Sequence, residues 1–99
     1  MLDTLQINDF LPYLNQTLQI RFRLPDATLQ AELIDVSELV SQPGSPRSPF
    51  SIILRTPQQG EYYQQAIYTL HHPEKGELDI FMVPIGPDSQ GMRYQVIFN

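Results

Sequence analysis

The chain has 99 residues, and its 11 acidic side chains outnumber its 6 arginines and lysines, which gives a formal net charge of −5. This length allows one small domain, and a hydrophobic content of 41 % with only 17 % charged residues excludes a disordered chain. Because the sequence contains no cysteine, disulfide bonds, thiolate metal sites and cysteine nucleophiles are excluded as well.

A short helix is predicted near the N-terminus, over residues 7–15. Its apolar residues recur at the i, i+3, i+4 and i+7 spacing of one helix face, and they are Ile7, Phe10, Leu11 and Leu14. Pro12 lies close to the start and limits the helix to about two turns. A helix this short is not stable alone, so we expect it to lie as a lid on an apolar surface.

Strand patterns follow over residues 17–99. Hydrophobic and polar residues alternate over 18–24 and again over 28–40. Within the second run the alternation changes phase near Leu33 and Ile34, which predicts a β-bulge. Further strands are predicted over 50–56, 66–72, 77–85 and 92–98. Pro84 interrupts an apolar strand and predicts either a sheet edge or another bulge there.

These elements predict one all-β domain over residues 1–99, mainly antiparallel. Loops rich in proline and glycine separate six strands, and no internal repeat is visible. The pattern is compatible with a small six-stranded barrel and with a two-layer sandwich, each with the N-terminal helix as a lid.

The 80–85 segment is apolar on both of its faces, unlike a strand with one face in water. The helix accounts for part of this pattern, but one short helix covers only about a few hundred Å². We therefore expect spare apolar surface for a protein partner or a second copy of the chain. The 57–65 loop adds two tyrosines between glutamines, although a mobile polar loop is an equal alternative. The candidate interaction residues are Phe81, Val83, Ile85, Ile97, Tyr62 and Tyr63.

Residues that carry chemistry are sparse. Arg47 and Arg55 bracket one strand and are candidate anion contacts, unless they pair with surface acids. His71 and His72 are adjacent on a strand, so they face opposite sides and cannot bind one metal together. The sequence lacks paired catalytic carboxylates, a serine-nucleophile motif and a glycine-rich phosphate loop. We predict no enzymatic activity, no cofactor and no metal site.

The basic residues are scattered, and Lys75 is the only lysine. This predicts neither a nucleic-acid partner nor binding to an anionic membrane. The N-terminus lacks the pattern of a signal peptide, and no apolar run approaches the roughly 20 residues that span a bilayer. We expect a protein that is cytoplasmic as synthesised and whose partner is another protein or another copy of itself.

Several strings of turn and core residues resemble an uncharacterised family of small bacterial proteins. They are Arg47-x-Pro49-Phe50-Ser51, Tyr68-x-Leu70-x-His72-Pro73-x-x-Gly76, Phe81-x-Val83-Pro84-Ile85-Gly86 and Tyr94-x-x-x-Phe98-Asn99. The resemblance implies a domain of unknown function whose relatives are associated with proteins similar to phage tail-collar fibres. It thereby implies an accessory or assembly part of a tail-like or filamentous structure, incorporated later into an extracellular assembly.

Taken together, the residues and the resemblance predict a non-enzymatic structural or adaptor domain that acts through protein–protein contacts. The alternative is a small β-barrel module that binds a sugar or an anion between the two arginines and the tyrosine loop.

Overall fold

The computed structural model describes residues 5–40, 43–44 and 48–99. It contains six antiparallel strands: β1 (Thr17–Phe22), β2 (Ala27–Glu38), β3 (Phe50–Thr56), β4 (Ala66–His72), β5 (Gly76–Asp88) and β6 (Gly91–Phe98). The strands close into a barrel in the order β1-β2-β3-β6-β5-β4. The all-β prediction is confirmed, and of the two architectures left open by the sequence the protein adopts the barrel.

Alternate side chains of each strand fill the barrel, as the alternation in the sequence predicts. In β1 every second residue from Leu18 to Phe22 is buried and its neighbours are exposed. The strand ends two residues earlier than predicted. Leu24 has a φ of +64°, which is not a strand conformation, and its side chain is almost fully exposed.

The bulge predicted near Leu33 and Ile34 is present, and of the two alternatives at Pro84, an edge or a bulge, the chain adopts the bulge. The register of β2 against β3 shifts between Leu33 and Asp35, and that of β5 against β6 shifts between Pro84 and Gly86. Gly86 has a φ of +110°, a conformation that favours glycine, so β5 continues through the second bulge to Asp88. This is why the strand extends three residues beyond the predicted end at Ile85.

The N-terminal lid consists of two short 3₁₀ helices, Ile7–Asp9 and Leu11–Tyr13, where the sequence predicted a continuous helical segment. Pro12 has no N–H to donate to the carbonyl four residues earlier, so the chain uses i→i+3 hydrogen bonds instead. The described residues include no helix with the length and apolar character needed to span a membrane.

Phe10 anchors this lid in one end of the barrel. Its side chain is fully buried, and its ring lies 5.9 Å from that of Phe50 and 5.4 Å from that of Phe98. His72 stabilises the same end of the barrel through hydrogen bonds. Its Nδ1 accepts the backbone N–H groups of Glu74 and Lys75, each at 3.0 Å. The proton of the ring therefore sits on Nε2, which donates to the carbonyl of Asp9 at 2.6 Å.

The 57–65 loop closes the opposite end. The ring of Tyr63 stacks on Phe22 with 4.3 Å between centroids, and its backbone N–H donates to the buried Tyr94 hydroxyl at 2.8 Å. That hydroxyl donates in turn to Oε1 of Gln58, which also accepts the hydroxyl of Thr56. A network of hydrogen bonds inside this end of the barrel thus fixes the 57–65 loop, whose polar sequence alone does not predict a fixed position.

Candidate interaction surface

Three apolar side chains lie side by side on the outside of the barrel. Ile67 of β4 is paired directly with Phe81 of β5. The pairing of β5 with β6 ends at Val83 opposite Gln95, and continuation of this register by two residues would place Ile97 at the level of Phe81. Their side chains are 56 %, 51 % and 53 % exposed, respectively. We call these three residues the outer stripe.

The strands force these side chains outward. Successive residues of a strand point to opposite faces, and the neighbours of the outer stripe fill the core. Those buried neighbours are Tyr68, Ile80, Met82, Val96 and Phe98. The lid inserts Phe10 into the barrel end, so it does not cover this face, and the apolar outer face of 80–85 stays open to solvent among the described residues.

Of the other predicted interaction residues, some share this surface and one does not. Val83 is half-buried on β5, and Ile85, the extra residue of the second bulge, is exposed. Tyr62 is 60 % exposed on the 57–65 loop. Tyr63 is only 9 % exposed, because its ring stacks on Phe22 and its hydroxyl donates to the Pro25 carbonyl. Its assignment to the interaction surface is wrong: it is a core residue.

The predicted anion contacts do not form a free clamp. Nη1 of Arg55 donates to Asp88 at 2.9 Å and Nη2 donates to Glu32 at 2.8 Å, which joins β2, β3 and the β5–β6 turn. Its guanidinium is occupied by the chain's own carboxylates, the alternative that the sequence left open. Arg47 lies outside the described residues.

Asp88 is the most strongly held carboxylate of this cluster. Its Oδ1 accepts the backbone N–H groups of Gln90 at 2.8 Å and Gly91 at 3.0 Å. The hydrogen bond from Gln90, followed by that from Arg55, lowers the pKa of Asp88 below its ordinary value of 3.8. Asp88 also raises the pKa of Arg55, so this ion pair acts as a structural brace.

A groove of about 510 Å³ lies beside the outer stripe, between the β1–β2 turn and the 57–65 loop. It is lined by Arg23 and Leu24 on the turn side, by Glu61 and Tyr62 on the loop side, and by Ile67 at the start of β4. We call it the seam groove. The sequence does not predict this groove, because only the pairing of β1 with β4 brings the turn and the loop together. The one local signal is the apolar Leu24 in front of Pro25.

The two histidines lie as predicted, with His71 exposed and His72 buried. Within the described part of the chain, no group of three or more His, Asp or Glu side chains is arranged to hold a metal ion. The polar side chains near the barrel ends are instead engaged in holding the loops and the lid.

Comparison with known proteins gives a family and no activity. No curated protein and no solved structure matches the chain. A family described as a domain of unknown function (DUF6916) matches residues 5–98, a range that includes the lid, all six strands and both bulges. The protein therefore belongs to the DUF6916 family, a family of unknown function.

Proposed function

We propose that this protein is a non-enzymatic structural or adaptor domain that acts through protein–protein contacts, and that the outer stripe is the centre of its contact surface. The observation that carries the proposal is the exposure of Ile67, Phe81 and Ile97, each more than half open to water. Three large apolar side chains in a row are costly to leave in water unless another surface covers them.

The exposed apolar area of the outer stripe can be compared with that of known contact surfaces. About half of each of three large side chains amounts to roughly 300 Å², which lies in the range of the largest apolar patch on a typical monomer. Such patches are often functional, but a stable interface buries about 800 Å² on each partner. A partner must therefore also cover surface next to the stripe, and the seam groove, which shares Ile67, is the adjacent concave surface.

Side chains that elsewhere perform chemistry have structural partners here. His72 holds the lid, Arg55 braces three strands, and Tyr94 holds the loop that closes the barrel. These engagements favour a contact role over catalysis. With the resemblance to bacterial proteins associated with tail-collar-like fibres, we extend the proposal to an accessory or assembly component of a tail-like or filamentous structure, made in the cytoplasm and incorporated later.

A second candidate function, the binding of a small ligand such as a sugar, is favoured by one observation, the seam groove with the exposed ring of Tyr62 on its wall. The engagement of Arg55 by two carboxylates weighs against the form of this candidate in which that arginine binds an anion.

The experiment compares the full chain with two serine variants. Phe81→Ser lies in the outer stripe, and Leu11→Ser replaces an exposed leucine of the lid at the barrel end. Half exposure of Phe81 predicts a loss of about 2 kcal/mol of stability, half of the cost of truncating a buried phenylalanine. We expect both variants to fold and only Phe81→Ser to lose the protein that co-purifies from the native host, or its own self-association in sedimentation. A wild-type chain that is strictly monomeric and recovers no partner would refute the proposal.

A further inference from the structure

The barrel has one weak seam. β1 and β4 are paired through only three residue pairs, from Gln19 opposite His71 to Arg21 opposite Thr69. By comparison, β4 and β5 are joined by seven pairs, and β3 and β6 also by seven. The pairing between β1 and β4 ends at Thr69, although β4 begins three residues earlier, at Ala66.

Those three residues form a short open strand edge. Ala66, Ile67 and Tyr68 are paired with β5 on one side. Continued register would place Phe22 opposite Tyr68, but β1 ends there and the chain turns away, so no described strand pairs with the other side of Ala66 and Ile67. Because successive residues direct their N–H and C=O to opposite sides, main-chain donors and acceptors of this edge face the seam.

The seam groove runs along this open edge and carries a free cation. Arg23 lines the groove and has no ion-pair partner among the described residues, whereas Arg21, two residues earlier, is paired with Glu77 at 3.2 Å. Arg23 is close enough to Tyr68 to oppose the rise in pKa that burial causes at that hydroxyl. The chain has 11 acidic residues and only 6 basic ones, so acidic partners for an arginine are abundant. An arginine that stays without an ion pair in this groove is therefore a distinctive feature.

The other residues that line the seam groove limit where a negatively charged group of a ligand can lie. Leu24 is 94 % exposed beside Arg23, and Ile67 supplies a second aliphatic surface that continues into the outer stripe. Glu61, the one acidic residue that lines the groove, stands on the loop side, and Asp26 of the turn faces a separate depression on the other side of Arg23. A carboxylate is therefore favoured only on the turn side, next to Arg23.

We propose that the seam groove binds an extended peptide segment of a partner protein, which adds to the open edge at residues 66–68 and places an acidic side chain beside Arg23. Strand addition uses main-chain hydrogen bonds for affinity and neighbouring side-chain pockets for selectivity. Aliphatic residues next to the acid would contact Leu24 and Ile67. The inference rests on the proposed contact function, since Ile67 belongs to both surfaces.

The test is a nuclear magnetic resonance titration of the full ¹⁵N-labelled chain with the synthetic peptide acetyl-Thr-Val-Asp-Val-Thr-amide. We expect amide shifts at residues 23–24 and 66–68, with smaller changes elsewhere. A peptide with Asn in place of Asp should bind roughly fivefold more weakly, the loss expected for one exposed ion pair. A peptide with Pro in place of the second Val should not bind, because it lacks an N–H for the ladder.

Matched variants separate the groove from the general surface. Arg23→Gln should weaken binding of the Asp peptide roughly fivefold and leave the Asn peptide unchanged. Arg21→Gln, the control, should change either affinity by less than about twofold. Glu61→Gln should strengthen binding of the Asp peptide, because it removes a like charge from the groove.

Three results would overturn the inference: no shifts at the groove with millimolar peptide, equal affinity for the Asp and Asn peptides, or groove shifts caused by monosaccharides and not by the peptides. These outcomes are distinguishable from failure of the proposed function. If the groove binds no peptide while Phe81→Ser still releases the co-purifying protein, only the peptide inference fails. If the groove binds peptide as described but Phe81→Ser releases nothing, the assignment of the contact centre to the outer stripe fails.

Discussion

The hydroxyl of Tyr94 offers the sharpest test of how the barrel end is built. This hydroxyl accepts the backbone N–H of Tyr63 at 2.8 Å and donates to Gln58 at 2.7 Å. Among the described residues, no buried side-chain nitrogen or oxygen lacks a hydrogen-bond partner. Tyr94→Phe keeps the ring and its packing but removes the hydroxyl that accepts the buried backbone N–H of Tyr63.

The expected cost follows from that orphaned N–H. Gln58 Oε1 keeps the hydroxyl of Thr56 as a donor, so it stays satisfied in the variant. The backbone N–H of Tyr63 loses its acceptor in the variant, and an unsatisfied buried donor costs about 1–3 kcal/mol. We therefore expect Tyr94→Phe to lower the free energy of unfolding by about 1–3 kcal/mol. The 57–65 loop, which forms one wall of the seam groove, should loosen first.

Urea denaturation measures the free energy, and hydrogen exchange of the Tyr63 amide reports the loop. Tyr62→Phe is the matched control, because it removes the same hydroxyl from a side chain that is 60 % exposed. That variant should change stability by less than about 0.5 kcal/mol. If the two variants have equal stability and equal exchange at Tyr63, the network does not hold the loop and the reasoning is refuted.

Three further predictions concern the β5–β6 turn and the dependence of stability on pH. A Cβ atom at position 91 would overlap the backbone carbonyl of Thr56, so Gly91→Ala should cost about 1–3 kcal/mol in urea denaturation, whereas Ser89→Ala in the same turn should be nearly neutral. The lowered pKa of Asp88 stabilises the fold above the ordinary value of 3.8, and this contribution is lost as the pH falls through the lower folded value. Stability should therefore fall less steeply with acid in Asp88→Asn than in the wild type; an equal slope would contradict this. Burial raises the pKa of Tyr94 above 10.0, so its contribution is present below that pH and lost as the pH rises, and Tyr94→Phe should reduce the alkaline loss.

Much of the fold could be predicted from local pattern. Alternation of apolar and polar residues depends only on which face of a strand is buried, so the six strands follow from it. The 80–85 segment is apolar on both faces, so the pattern alone does not show which side of β5 carries Phe81. Phase shifts and prolines also act locally, which is why the bulges at Ile34 and Ile85 were predictable. Strand ends were less predictable, because Leu24 is removed from β1 by a backbone conformation that the alternation does not encode.

The candidate site depends more on long-range pairing. Tyr62 and Tyr63 are adjacent and identical in type, yet one is exposed and the other is buried, since only Tyr63 meets Phe22 and Tyr94 across the barrel end. Arg55 and Arg23 look equivalent in the sequence as well. Their different roles follow from the register, which brings Glu32 and Asp88 to Arg55, whereas Arg23 forms no ion pair with any described residue.

The most direct test of the contact surface is site-specific photo-crosslinking in the native host. Benzoylphenylalanine is placed at position 81 of the outer stripe or, as a control, at position 19, which is an exposed polar position on β1. Contact through the outer stripe predicts discrete protein adducts from position 81, either with a partner or with a second copy, and none from position 19. Contact through the outer stripe is contradicted if position 81 gives no adduct or if both positions give the same adducts in equal yield.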